Sequence, residues 1–193
     1  VGPREHRRLI PIITDEYPDP DFGSGAVKIT GAHDFNDYAV ALRGGIPKYR
    51  LMDRRGHMRA DGAPYAEDAL AAQKIAAGAT ASEEEIDALN LVPDEYRGLD
   101  RFDARDRVVA DITAEGLAVM TRSDDPRLGK PKKKTDEEDA PVPVPLVEAK
   151  LIMQPYGDRS KVVIEPMLTD QWFVDAEKIV GPAIEAVRKG EVT

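Results

Sequence analysis

One stretch near the start of the chain restricts the fold more than any other: Gly23-Ser-Gly-Ala-Val-Lys-Ile-Thr-Gly-Ala-His-Asp-Phe-Asn-Asp37. A Gly-broken turn leads into a short apolar run, Ala26 to Thr30, with strand character. Gly31 and Ala32 then make a small-residue turn, and His33 and Asp34 stand where a helix cap belongs. An Asp at a helix entrance accepts bonds from backbone N–H groups that lack intrahelical partners, so Asp34 has a structural role available. Asp37 lies three residues on, on the same helical face. Two carboxylates, a Lys and a Thr can therefore gather at one strand end, and strand ends that turn into helices commonly carry sites in α/β proteins.

The remainder of the chain fits one sizeable domain. Its 193 residues are 41% hydrophobic and 33% charged, values typical of a globular protein. There is no cysteine, which excludes disulfides and thiolate metal sites. No run has the form of a signal peptide or is apolar enough to span a bilayer, so the expected setting is the cytoplasm, with no membrane contact. The net charge of −9 argues against generic polyanion binding, although it leaves room for a local basic cleft that takes one strand end.

Along the chain, Arg8 to Thr14 reads as a strand, and Lys48–Met52 with His57–Arg59 reads as a hairpin about Asp53-Arg-Arg-Gly56. Helices are expected from Glu67 to Ala77, a short second one opened by the capping-box spacing of Ser82–Glu85, and from Asp103 to Glu115. Leu117–Met120, Leu146–Met153 and Lys161–Glu165 read as strands, the last two bracketing a turn at Pro155–Asp158. A final helix, Asp175 to Lys189, is expected to be interrupted at Gly181-Pro182. Alternating strands and helices make the class α/β or mixed α+β. Lys130-Pro-Lys-Lys-Lys134 followed by Asp136-Glu-Glu-Asp139 reads as a solvated loop of opposite charges rather than a nucleic-acid contact.

At this point the residues carry a family resemblance. Gly23-Ser-Gly-Ala-Val-Lys-Ile-Thr30, followed by Ala32-His-Asp34 and Asn36-Asp-Tyr38, closely resembles the editing domain inserted into valyl-tRNA synthetases, members of the class I aminoacyl-tRNA synthetases. Three further segments match in the same order: Tyr96–Arg105, Ile164–Val174 and Ala183–Gly190. The resemblance implies a compact, barrel-like mixed sheet flanked by helices. It also implies an editing core over residues 1–160 and a connecting arm over 161–193 that returns towards the synthetase catalytic domain.

It further implies hydrolysis of threonyl-tRNA(Val). Threonine and valine are near-isosteres, and an apolar pocket rejects the added hydroxyl by only about a hundredfold. A second pocket with polar partners for that hydroxyl reverses the selection. Lys28, Thr30, Asp34 and Asp37 match the family's editing-pocket positions. By that carry-over Asp37 anchors the substrate's ammonium or hydroxyl, and Asp34 shapes the pocket or orients water. Lys28 and Thr30 bond the substrate or the terminal adenosine. The implied partners are the 3′ acceptor end of tRNA(Val) carrying threonine and the rest of the synthetase, with the protein a monomer. No metal or cofactor is implied for this domain, since ATP and Mg2+ serve the parent catalytic domain. The alternative is a non-catalytic fragment that binds the tRNA acceptor end or acts as a spacer.

Some positions depart from the family pattern. Gly31 stands where relatives usually place Pro, and Gln154–Lys161 stands where many carry a His and Cys cluster suggestive of zinc. The family's Thr-rich peptide belongs upstream of the motif strand, so the chain reads as an N-terminally truncated piece. His33 is read as a capping or packing histidine, His57 as a surface hairpin residue, and Trp172 as a core or interface anchor. Gly23-x-Gly25 lacks the spacing of a dinucleotide fingerprint or P-loop.

Overall fold

The computed structural model describes residues 7–21, 24–129 and 140–192; Gly23 and the charged loop Lys130–Asp139 lie outside the described residues. The elements run α1 (Phe35–Arg43), α2 (Tyr65–Ala76), α3 (Glu83–Ala88), α4 (Arg101–Ala114), β1 (Met120–Arg122), β2 (Pro143–Pro145) and α5 (Ala176–Arg188). Single 3-10 turns occur at Asp94–Tyr96 and Pro126–Leu128. β1 and β2 pair antiparallel, with Thr121 opposite Val144. The mixed α and β class therefore stands. Among the described residues, however, the sheet has two strands and does not close into a barrel.

Local chemistry explains where the helices begin. The Asp34 carboxylate accepts from the Asn36 and Asp37 amides at the start of α1. Ser82 and Glu85 close a reciprocal capping box on α3, and Asp100 caps α4 through the Phe102 amide. The hairpin is also present. Met52 bridges Met58, and the Asp53 amide reaches the His57 carbonyl at 2.8 Å. Its second limb is tied sideways to the entrance of α4, by Met58 N–H to Leu99 at 2.8 Å and Gly98 N–H to Met58 at 2.9 Å.

Several expected strands form no ladder. Ala26–Thr30 has no strand assignment, and the Thr30 amide donates to the Asp37 carboxylate instead of a neighbouring strand. Arg8–Thr14 and Leu146–Met153 also lie outside the named strands, although the Leu146 amide still reaches the Val119 carbonyl at 2.7 Å. Lys161–Glu165 contributes one bridge, Val163 to Tyr156, around the expected turn. α5 is continuous through Pro182. Proline has no N–H to donate to the Lys178 carbonyl, and Lys178 is exposed, so that carbonyl is not buried without a partner.

The core is built of small side chains: Ala32, Val40, Ala41, Ala69, Ala72, Leu91, Val92 and Ala104 are buried. Polar groups bind these surfaces together. Asn90 is 0% exposed, and its side-chain amide donates to the Arg59 carbonyl at 3.1 Å and the Asp61 carbonyl at 2.7 Å. Its side-chain oxygen accepts from Val92 N–H, and its own amide donates to the Asp68 carboxylate at 2.9 Å. The buried Arg59 guanidinium grips Asp61 with two bonds, of 2.9 and 2.7 Å, and donates to the Asp87 carbonyl at 2.8 Å. Arg97 extends the clasp to the Ala63 and Val92 carbonyls. The described buried side-chain polar atoms all find a partner.

α1 packs on the turn that precedes it through an unusually close approach. A Cβ placed on Gly31 would lie 2.6 Å from the Ala41 Cβ and 3.2 Å from the Lys48 side chain. The absence of a side chain at Gly31 is what allows this contact.

Two stability measurements follow from this packing. Asn90→Ala leaves two buried carbonyls and the Val92 amide without partners, and each such loss costs about 1–3 kcal/mol. Urea unfolding should therefore show a loss of about 3 kcal/mol or more; an unchanged midpoint would refute the clasp. Gly31→Ala should cost about 1–3 kcal/mol through overpacking. A neutral result there would mean that Ala41 shifts freely.

Candidate functional site

The corner between the extended run and α1 gathers three of the four residues singled out in the sequence into one chain of bonds. Lys28 Nζ donates to the Thr30 hydroxyl at 3.0 Å. That hydroxyl donates to Asp37 Oδ2 at 3.1 Å, and the Thr30 amide donates to the same oxygen at 2.7 Å. Asp37 is 7% exposed and Lys28 is exposed, so the chain runs from the interior of the corner to solvent. The helix geometry makes this possible, because residue 37 lies in the first turn of α1 and faces back over the turn that leads into it.

Asp34 has a separate task. Its Oδ1 accepts from the Asn36 amide at 2.8 Å and the Asp37 amide at 3.0 Å, and the residue is exposed at the positive end of the helix. The two carboxylates thus hold different groups. Asp34 fixes the start of α1, and Asp37 fixes the end of the extended run against it.

His33 joins this corner to distant chain. The Leu51 amide donates to Nε2 at 2.9 Å, so Nε2 carries no hydrogen. Nδ1 therefore bears the proton and donates to the Pro166 carbonyl at 3.0 Å. Burial lowers the proton affinity of the ring. The Pro166 bond and the charge of Glu165 oppose that shift, and Arg50 adds to it. The packing role expected for His33 is present, with a more specific content than the sequence supplied. Beside it, Arg101 Nε donates to Glu165 at 2.8 Å, a second tie to the stretch that carries Pro166.

These residues border a cleft of about 330 Å³ between the hairpin turn and the return segment, lined among others by His33, Arg54, Arg55, Arg101, Glu165 and Met167. A second, more open hollow of about 620 Å³ lies between α4 and β2, lined by Val109, Thr113, Pro145 and Val147. Neither is lined by Lys28, Thr30 or Asp37. Among the described residues, no group of three His, Asp or Glu side chains is placed to hold a metal ion, and no helix is long and apolar enough to cross a membrane.

Sequence reasoning missed the partners Leu51, Arg101 and Glu165. Contacts across 18 and 64 residues leave no local periodicity, and only the charge of Arg101 and Glu165 hinted at a pair. Trp172 is not a core residue of this chain, since it is 101% exposed, with Phe173 beside it at 88%. Its backbone neighbours form no ladder or helix that could fold the ring inward. His57 sits half-buried in the hairpin, where its backbone bridges Asp100.

No family model matches the chain. Individual proteins do. The valine–tRNA ligase of Ruegeria pomeroyi is 73% identical over 192 residues, all of this chain and 19% of the relative. Those of Rhizorhabdus wittichii and Zymomonas mobilis are 43% and 41% identical over 185 and 186 residues, each covering 96% of this chain and 15% of the relative. The chain spans less than a fifth of the length of these relatives. With nearly every residue aligned to the same enzyme in three organisms, the chain belongs to the valine–tRNA ligase family, as a segment of that class I synthetase.

Proposed function

We propose that this segment is the editing region of its ligase and hydrolyses threonine from mischarged tRNA(Val) in the cytoplasm. The observation that carries the reading is the Lys28–Thr30–Asp37 chain of bonds at the corner. It presents a cation and a hydroxyl of fixed orientation, backed by a buried carboxylate. Such polar groups gain a bond from the threonine hydroxyl that a valine methyl does not offer, and unpaired polar groups penalise valine.

In this reading Asp37 holds Thr30 and anchors the ammonium or hydroxyl of the substrate, while Lys28 meets the substrate or the terminal adenosine. Exposed Asp34 orients the attacking water. Water adds to the ester carbonyl carbon, the bond to the ribose oxygen breaks, and that oxygen leaves with a proton. The products are free threonine and uncharged tRNA(Val). ATP and Mg2+ belong to the aminoacylation step elsewhere in the ligase, and the hydrolysis draws on no cofactor. The remaining polypeptide of the ligase is the structural partner, and the protein acts as a monomer.

One observation favours a second reading, a segment that only binds the acceptor end or spaces other parts of the ligase. Lys28, Thr30 and Asp37 bond to one another and line neither cleft.

The test is hydrolysis of threonyl-tRNA(Val) by the parent ligase and by this chain alone. The parent should hydrolyse it. Asp37→Ala and Thr30→Val in the parent should lower the rate by roughly a hundredfold while valine attachment continues, the scale expected when a positioned polar group is lost. Hydrolysis that is absent from the parent, or indifferent to both substitutions, would leave the binding or spacer reading standing.

A further inference from the structure

We propose that His33 is a positioning residue for the editing corner, coupling the return segment at Pro166 to the Thr30–Asp37 turn through both ring nitrogens. The proposal rests on the editing reading above, and it adds a residue that acts through others.

The geometry supplies the reason. His33 stands between buried Ala32 and the helix cap Asp34, and its own amide donates to the Thr30 carbonyl at 3.2 Å. A movement of its backbone therefore carries the cap and the end of the extended run with it. Its side chain is held at two remote points. Nε2 takes the Leu51 amide from the first limb of the hairpin, and Nδ1–H reaches Pro166, 133 residues away in sequence. The neighbouring Arg101–Glu165 pair anchors the return segment at the preceding residue, so Pro166 is a fixed rather than a trailing partner. With both nitrogens occupied, His33 has no free atom to act as a general base, and its effect on chemistry runs through where it holds Thr30, Asp34 and Asp37.

The same bonds give the coupling a protonation state. Protonating the ring places an N–H at Nε2 against the Leu51 N–H, two donors facing each other, and that bond is lost. The charged groups facing the ring are Glu165, itself paired with Arg101, and Arg50 in the first limb of the hairpin. Burial holds the folded ring's proton affinity below the ordinary histidine value. The released ring binds the proton more tightly than the held one, so the coupling is complete above the ordinary histidine range and weakens as pH falls through it.

The experiment uses the full-length ligase with His33→Leu, which offers neither bond, and His33→Gln, which retains one donor and one acceptor. Threonyl-tRNA(Val) hydrolysis, valine attachment and amide hydrogen exchange at Thr30 and Asp37 are measured for each. His33→Leu should lower the hydrolytic kcat roughly tenfold to a hundredfold, the range for a modest misplacement of reacting groups, with KM and valine attachment little changed. His33→Gln should recover most of that loss. It should also flatten the fall in enzyme-catalysed rate as pH drops below about 6.5, the side to which burial moves the held ring. Wild-type kinetics in His33→Leu, or equal damage in both variants, would overturn the proposal. If the wild-type ligase does not hydrolyse the substrate, the editing reading fails by itself. Exchange then decides the coupling: faster exchange at Thr30 and Asp37 in His33→Leu supports it, and unchanged exchange overturns it.

Discussion

The fold depends on a buried polar clasp rather than on a large apolar interior. Among the described residues the buried apolar side chains are mostly alanine, and the larger ones are Val40, Val92 and Leu91. Small side chains bring backbones close together but release little apolar surface, because the hydrophobic gain follows the area removed from water. Asn90 and Arg59 provide the missing specificity. They bind the carbonyls of Arg50, Asp61 and Asp87, which come from three separate stretches of chain. A buried network of this kind holds one arrangement strongly when every member is satisfied, and few alternatives satisfy all of them at once.

The Thr30–Asp37 corner is attached to that framework from two sides. Leu51 lies next to Arg50, whose carbonyl Arg59 binds, and the Leu51 amide holds His33. On the other side Arg101, at the start of α4, holds Glu165 beside Pro166. The corner itself is short: Thr30, Gly31, Ala32, His33 and Asp34 join the extended run to α1. Each of these residues except Gly31 makes a named hydrogen bond or is buried, and Gly31 contributes by being small. The position of the candidate chemistry is thus set by contacts up to 133 residues away in sequence.

Much of the local structure was legible because its causes are local. The cap at Asp34, the capping box from Ser82 to Glu85 and the hairpin around Asp53–Gly56 each depend on residues within a few positions of one another. The strands were less legible, because a strand exists only where a partner supplies the ladder. Ala26–Thr30 has suitable residues, yet its last amide is taken by a side chain. Gly181-Pro182 signals a break, but α5 continues because solvent accepts the cost of one lost backbone bond. At the site, the four residues were legible as a group from their spacing, whereas the separate duties of Asp34 and Asp37 were not. Burial of Asn90 and Arg59 was invisible, since polar residues are ordinarily placed outside and only the tertiary fold makes them interior.

The contact between Gly31 and Ala41 has one further consequence. The two positions share a single allowance of space, since a Cβ at position 31 would overlap the Cβ at position 41. Size at either position is therefore conditional on the other. A methyl group gained at position 31 calls for one given up at position 41, even though residue 41 lies two turns into α1. Substitutions there should be coupled in effect, with a double replacement milder than the sum of its parts. The shape of the turn that carries the polar chain of bonds is in this sense encoded partly in the opposing face of the helix.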